Sequence, residues 1–150
     1  MYRRILMSLA DTPPSDRALV ALRCIAIDPQ VRCRLVHVLQ PEAHVTGFER
    51  PAVHVRDIAP ALARQAQALL AQTQNRLARL GLHAETALIE EGLLTLEQAV
   101  LADATAWSAD LIVMTTHGRC GLQRLALGSH AEALLRTSPL PVLLVREADV

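Results

Sequence analysis

A loop between residues 115 and 129 carries the residue types best suited to hold a phosphate group. Its glycines allow close backbone approach and positive φ, and its arginines add positive charge. These residues are Gly118, Arg119, Gly121, Arg124 and Gly128. Ser129 is predicted to cap the helix that follows, whose free N–H groups and positive dipole end favour an anion. The pattern indicates a phosphate-binding loop, although glycines at a strand-to-helix turn also serve packing alone.

Three other features could carry chemistry, and each also has a simpler explanation. His117 lies beside the glycines, but a lone histidine with no activated nucleophile nearby more often makes structural hydrogen bonds. Glu90 and Glu91 form an adjacent acidic pair at a predicted strand end, as solvated turns commonly do. Cys120 follows Arg119, whose charge would favour a reactive thiolate, but an inert loop thiol is the simpler interpretation.

The elements that position this loop are short apolar strands alternating with amphipathic helices. Strands are predicted over residues 5–9, 34–39, 83–89, 110–115 and 142–146. Helices are predicted over residues 15–27, 58–80, 95–106 and 129–136, and residues 42–57 are predicted to form a surface loop. This alternation implies an α/β fold with right-handed crossovers and a parallel sheet. In such a sheet ligands bind at the carboxyl ends of the strands, where the strand order reverses.

Length, charge and composition exclude several classes of protein. The 150 residues suit one domain, covering residues 1–150. Fifteen basic and fifteen acidic residues cancel and aromatic residues make up only 2 %, which argues against DNA or RNA as a partner. No apolar stretch is long enough to span a membrane, no secretory signal is evident, and the three cysteines show no CxxC spacing. A cytoplasmic protein with reduced thiols is therefore expected.

The spacing of Gly118, nine residues, Gly128 and Ser129 resembles the universal stress protein family. The preceding segment, residues 109–118, and the following Pro-Leu-Pro-Val-Leu-Leu-Val resemble the same family. So do the first strand and Leu35-Val-His-Val, and the resemblance covers nearly the whole chain. It implies a Rossmann-like (adenine nucleotide alpha hydrolase-like) domain. Its five-stranded parallel sheet would have the order 3-2-1-4-5, with two helices on each face.

The resemblance also implies a site for an adenine nucleotide, with ATP as the expected ligand. It would place Val38 beside the adenine, Met114 and Thr115 near the adenosine, and Leu9 and Ala10 at the adjoining end of the first strand. The residues expected along the phosphates are Gly118, Arg119, Gly128, Ser129 and His130, and Gly121 of the same loop completes the predicted set.

Two positions depart from the motif of the family's ATP-binding members. The motif begins with glycine where this chain has Thr115, whose β-branched side chain would either clash with the ligand or contact it. The family's aspartate at the end of the first strand is replaced by Ala10, with Asp11 one position later. A lost hydrogen bond costs ~1 kcal/mol. The two changes together would weaken binding by about one to two decades, at ~1.4 kcal/mol per decade.

The resemblance therefore implies a stress-response protein that binds an adenine nucleotide and acts as a sensor or adaptor. Ala10 and Thr115 support an alternative, a dimeric scaffold of the same fold that has lost nucleotide binding. A slow ATPase is a third reading, although the chain contains no Walker, GxSxG, HExxH or GxGxxG motif. The apolar final strand, from Val142 to Val145, predicts a homodimer formed by antiparallel pairing at the sheet edge.

Overall fold

Strands and helices alternate in the computed structural model, which describes residues 1–40, 52–90, 92, 94–117 and 128–147. The strands are β1 (Arg4–Leu9), β2 (Arg32–Leu39), β3 (Ala84–Glu90), β4 (Leu111–His117) and β5 (Val142–Glu147). The helices are α1 (Asp16–Ile25), α2 (Ala52–Arg79), α3 (Leu96–Ala106) and α4 (Ser129–Thr137). The alternation of strand and helix is the predicted one.

The strands form one parallel sheet in the order β3-β2-β1-β4-β5, which confirms the predicted order 3-2-1-4-5. β1 lies at its centre, and the residues from Ile5 to Leu9 are buried because helices cover both faces. β1 pairs with β2 on one side and with β4 on the other. The carboxyl ends of β1 and β4 therefore flank the point where the strand order reverses.

Two hydrophobic cores lie on opposite faces of the sheet, and each holds two helices. On one face, Leu19 and Leu22 of α1 pack with Leu70 and Leu77 of α2 over the central strands. On the other face, Val100 of α3 and Leu134 of α4 pack over the alternate residues of the same strands. Two helices on each face confirm the predicted layers.

The helix starts follow capping chemistry, but one predicted cap is wrong. The Ser15 side chain caps α1 by accepting a hydrogen bond from a backbone amide three residues on, at 3.2 Å. Thr95 caps α3 in a reciprocal capping box with Gln98. At α4 the cap is Gly128, and Ser129 is already the first helical residue. No side-chain bond caps this helix, and glycine tolerates the cap position because its backbone is unrestricted.

Several elements extend beyond their predicted bounds, and α2 does so by the most residues. α2 begins at Ala52, so residues 52–57, predicted as part of a loop, are helical. The prediction followed the apolar period, but backbone hydrogen bonds continue a helix beyond the end of that period. β4 continues to His117 because Thr116 and His117 pair with Arg146 and Glu147 of β5, beyond the end of the apolar run.

An interlocked group of side chains, here named the amino-end cluster, joins the amino-terminal ends of three strands to α3. It consists of Arg4, Arg34, Glu85, Asp103 and Trp107. Arg34 donates to Asp103 Oδ1 at 2.9 Å and lies 3.5 Å from Glu85 Oε1. The guanidinium carbons of Arg4 and Arg34 lie 4.7 and 5.8 Å from the Trp107 ring centroid. Charge pairing and cation–π contact thus tie β1, β2, β3 and α3 together.

α2 is the longest of these helices, with 28 residues. Its buried side chains, Ala66, Leu69, Leu70, Thr73 and Leu77, face the sheet. Among the described helices, none has both the length and the apolar character needed to cross a bilayer.

Candidate functional site

A pocket of about 350 Å³ opens at the carboxyl ends of β1 and β4. It forms there because α1 and α4, which follow these two strands, pack on opposite faces of the sheet. The lining residues come from β1, β4 and the first turns of α3 and α4: Ser8, Leu9, Ala10, Leu96, Met114, Thr115, Thr116, Gly128, His130 and Ala131. Small-molecule sites commonly measure about 300–1,000 Å³, so the volume of this pocket is compatible with a ligand of nucleotide size.

The structure brings many of the predicted site residues together in this pocket: Leu9, Ala10, Met114, Thr115, Gly128 and His130. Val38 lies on the same face of the sheet but is 4 % exposed, within the core that also holds Met114. Ser129 is exposed at the start of α4 and is not part of the pocket wall. The other predicted residues, Gly118, Arg119 and Gly121, lie outside the described residues, as does Cys120.

The lining residues that sequence analysis missed are Ser8, Leu96, Thr116 and Ala131. Ser8 is 5 % exposed and is the one polar residue of β1 after Arg4, since the other residues of that strand are apolar. A hydroxyl near the end of such a strand was a usable signal for a pocket-facing position. Leu96 gave no such signal, because its place depends on how α3 packs against the sheet.

Gly128 provides space at the pocket wall without any unusual backbone conformation. Its φ is −52° and its ψ is 146°, values that any residue adopts. A Cβ added here would meet no described atom within 4 Å. The expectation of positive φ at this glycine is therefore wrong. α4 starts at the next residue, and the N–H groups of a first helical turn have no partner inside the helix, so they are available to an anion.

The first turns of α3 and α4 meet through a contact between His130 and Glu97 at the pocket, which is an ion pair when the histidine is protonated. His130 Nδ1 lies 3.5 Å from Glu97 Oε2, and their side chains are 51 % and 18 % exposed. Burial tends to raise the pKa of Glu97. Hydrogen bonds from the Thr95 side chain, the backbone and His130, together with the attraction of His130, outweigh burial and lower this pKa below its ordinary value. Glu97 is therefore a carboxylate at neutral pH.

Ala10 and Asp11 lie on opposite sides of the sheet. Ala10 is exposed and lines the pocket. Asp11 instead lines a smaller cavity of about 60 Å³ beside α2, where its Oδ1 lies 3.5 Å from Nε2 of the buried His37. His37 Nδ1 lies 3.2 Å from the Leu9 carbonyl oxygen. The carboxylate of Asp11 is thus directed away from the pocket and does not replace the one absent at Ala10.

Thr115 forms part of the pocket wall without closing the pocket. It is half-buried and pairs with Val145 across the β4–β5 ladder. The volume of about 350 Å³ is present with the threonine side chain in place. A β-branched residue at this position narrows the pocket but leaves room for a ligand.

The arrangement offers a mostly apolar wall, several hydroxyls and a helix start beside one ion pair. Leu9, Leu96 and Met114 can contact a planar ring, while the α4 amides and His130 are suited to an anionic group. Among the described residues, no three His, Cys, Asp or Glu side chains converge as they would around a metal ion. The geometry is that of a binding pocket for a molecule with one apolar and one anionic end.

A family model described as the universal stress protein family matches residues 1–146. Universal stress protein A homolog 2 of Coxiella burnetii is 30 % identical over 147 residues, which cover 97 % of this chain and 95 % of the relative. A universal stress protein of Thermus aquaticus is 30 % identical over 149 residues, covering 97 % of this chain and all of the relative.

Solved structures of the same family share the fold. A Burkholderia pseudomallei member is 27 % identical with a TM-score of 0.68, over 96 % of each chain. A member from Archaeoglobus fulgidus in complex with dAMP is 20 % identical with a TM-score of 0.61, covering 95 % of this chain and 97 % of that one. A further universal stress protein structure, in complex with cAMP, is 20 % identical with a TM-score of 0.66, over 98 % of each chain.

Proposed function

The chain belongs to the universal stress protein family, and we propose that it binds an adenine nucleotide, ATP, and acts as a stress sensor or adaptor. The observation that carries this proposal is the pocket at the switch point between β1 and β4. The adenosine would lie against Met114 and Leu96, and the phosphates would extend towards Gly128 and the start of α4. Gly118, Arg119, Gly121 and Ser129 remain predicted phosphate contacts.

Two of the structural relatives support an adenine ligand because each was solved in complex with an adenine nucleotide. dAMP and cAMP share an adenine ring and a single phosphate group, and each is bound by a protein of this fold. The pocket here offers an apolar wall of a size that suits the ring, with a helix start that favours the phosphate. A triphosphate would extend further, towards the predicted glycine-rich loop.

Isothermal titration of the purified protein with ATP tests the proposal directly. Saturable binding at one site per chain is expected, with adenosine binding more weakly because it offers nothing to the α4 amides. GTP is the matched comparison, since it carries the same phosphates on a different base. Absence of binding by any adenine nucleotide would overturn the proposal.

The orientation of Asp11 favours one competing function, a scaffold of the same fold without a nucleotide. The pocket lacks the carboxylate that the family's ATP-binding members place at Ala10, and Asp11 is engaged with His37 on the other face. Such a scaffold would act by binding proteins alone. It predicts no heat on titration with any adenine nucleotide, so the same experiment separates the two functions.

We further propose a homodimer that pairs the β5 strands of two copies in antiparallel fashion near Leu143 to Val145. β5 is an edge strand, and among the strands of the described residues it pairs with β4 alone. Ile112 donates to the Pro141 carbonyl at 3.0 Å and pairs in register with Val142. In a parallel ladder this directs the N–H of Leu144 away from β4, towards the open edge. Pairing about a two-fold axis would use that donor.

Light scattering at micromolar concentration should give about twice the chain mass. Leu144→Pro should shift the protein towards monomer, since proline removes the outward donor while the bonds to β4 remain. Leu144→Ala keeps the N–H and should stay dimeric. A monomeric wild-type protein at this concentration would reject the dimer.

The remaining proposals rest on composition. We expect a single domain over residues 1–150, a cytoplasmic location, and no association with DNA, RNA or membranes. Cys24 and Cys33 are free thiols, and burial raises the pKa of Cys33 to about 12, which makes that thiol unreactive. Reduced thiols are usual in the cytosol.

A further inference from the structure

His130 is the one ionisable side chain among the described residues that line the pocket. We propose that His130, positioned by Glu97, recognises the phosphate of the nucleotide and binds it together with a proton, so that nucleotide affinity rises as the pH falls. This inference rests on the proposed nucleotide function and adds a mode of regulation to the same site.

The contact with Glu97 decides what His130 can offer a ligand. Nδ1 faces the Glu97 carboxylate at 3.5 Å, so the proton of a neutral imidazole is favoured on that nitrogen. The second nitrogen, Nε2, lies on the far side of the ring and then carries only a lone pair, which repels a phosphate oxygen. Protonation converts Nε2 into a donor while Nδ1 keeps its partner. A phosphate contact at Nε2 therefore requires the imidazolium.

Glu97 adds a second reason for this proton coupling. Its carboxylate is 18 % exposed and lies where the first turns of α3 and α4 meet. With neutral His130, this negative charge opposes an anionic ligand near the start of α4. With charged His130, the pair is neutral and the α4 amides act on the phosphate without that opposition. The two effects act in the same direction.

Among the described residues, Glu97 is the charged group in contact with His130. On α4 itself, Glu132 is engaged with Arg136 at 2.8 Å. On α3, the group that faces His130 is Glu97. The wall residues that β1 and β4 contribute are uncharged: Ser8, Leu9, Ala10, Met114, Thr115 and Thr116.

The test compares ATP and adenosine affinity at pH 5.5 and pH 8.0 for wild type and His130→Asn. Wild-type affinity for ATP should rise roughly tenfold at the lower pH relative to the variant, as expected for one charge-assisted hydrogen bond. The comparison with the variant removes the contribution of ATP's own terminal phosphate, which titrates in the same range. Adenosine has no phosphate and should show no such difference.

Two further variants isolate the cause. Glu97→Gln removes the opposing charge, so ATP should bind more tightly than to wild type at pH 8.0 and depend less on pH. His83→Asn replaces an exposed histidine between α2 and β3, outside the pocket, and should match wild type. Calorimetry in two buffers of different ionisation enthalpy should show proton uptake with wild type and less with His130→Asn.

The outcomes separate this inference from the function on which it rests. If ATP binds to neither protein at either pH, the proposed function fails and the inference fails with it. If ATP binds and His130→Asn keeps the full pH dependence and proton uptake, the inference alone is overturned. Because His130 is half-exposed, circular dichroism of the variant should match wild type.

Discussion

The amino-end cluster and the pocket lie at opposite ends of the same strands and use their polar groups in opposite ways. At the amino ends, Arg34 is paired with Asp103 and both Arg4 and Arg34 lie over Trp107, which is 7 % exposed. Asp110 also accepts the backbone N–H groups of Arg3 and Arg4, at 2.7 and 3.0 Å. Most of these polar groups bind one another, but Arg4 Nε, Arg34 Nε and Asp103 Oδ2 are buried without a hydrogen-bond partner among the described residues.

The carboxyl ends of β1 and β4 instead carry small or half-buried residues around open volume. Ala10 and Gly128 occupy little space, and the ion pair of His130 with Glu97 lies beside the cavity instead of filling it. Side chains that satisfy one another stabilise the fold, whereas small side chains leave volume and backbone donors for a ligand. Substitutions at the two ends should therefore separate stability from binding.

The largest effect is expected from Trp107→Ala at the amino-end cluster. Removing this buried ring should lower the free energy of unfolding by about 3–5 kcal/mol, because a cavity replaces both the packing and the cation–π contacts. Urea unfolding measures the change, and Trp107→Phe should recover much of it by restoring a ring face. ATP affinity of the folded fraction should equal that of wild type. A variant as stable as wild type would show that the cluster does not support the fold.

A smaller effect, mainly on binding, is expected from Gly128→Val at the pocket. The backbone accepts a side chain here, since φ is −52° and a Cβ has open space. The free energy of unfolding should therefore fall by no more than about 1 kcal/mol, the cost of a poorer residue at the start of α4. ATP affinity should fall more than about tenfold, equivalent to ~1.4 kcal/mol, because the isopropyl group would occupy the path of the phosphate.

Gly128→Ala is the graded control and should weaken ATP binding less than the valine variant does. Calorimetry on both variants, with urea unfolding alongside, separates binding from folding. Unchanged ATP affinity in a folded Gly128→Val protein would remove Gly128 from the phosphate site and weaken the contrast between the two ends.

The smallest effect is expected from Ala10→Asp. This change introduces the aspartate that the resemblance to the family's ATP-binding members leads us to expect at this position. ATP affinity should rise by up to about tenfold, since a hydrogen bond to a ribose hydroxyl contributes ~1 kcal/mol. Asp11→Asn is the matched control and should leave ATP affinity unchanged, because Asp11 lies beside His37 on the other face. If Asp11→Asn weakens ATP binding while Ala10→Asp has no effect, Asp11 serves the ligand after all.

Local pattern alone was enough for much of the fold. Continuous apolar runs predicted the buried strands of a parallel sheet, and the helix predicted over residues 95–106 matches α3, which Thr95 caps. The resemblance around Gly118 and Gly128 supplied the strand order. Each of these features depends on neighbouring residues or on a contiguous motif, and for that reason a sequence can show it.

Other properties depended on how distant elements pack. The contact of His130 with Glu97 joins residues 33 positions apart, and that of Arg34 with Asp103 joins residues 69 apart. Gly128 has the extended backbone conformation of a residue that precedes a helix, and residues other than glycine adopt the same conformation.

The sequence by itself determined the type and order of the elements, the family, and the end of the sheet at which a ligand would bind. Only the tertiary structure decided that Ala10 faces the pocket while Asp11 faces His37 on the other side. Adjacent residues at a strand end project to opposite faces of the sheet, so one step along the chain separates the two cavities. Which face each residue takes depends on register against β2 and β4, and the continuous apolar run of β1, buried on both faces, has no alternation that would indicate it.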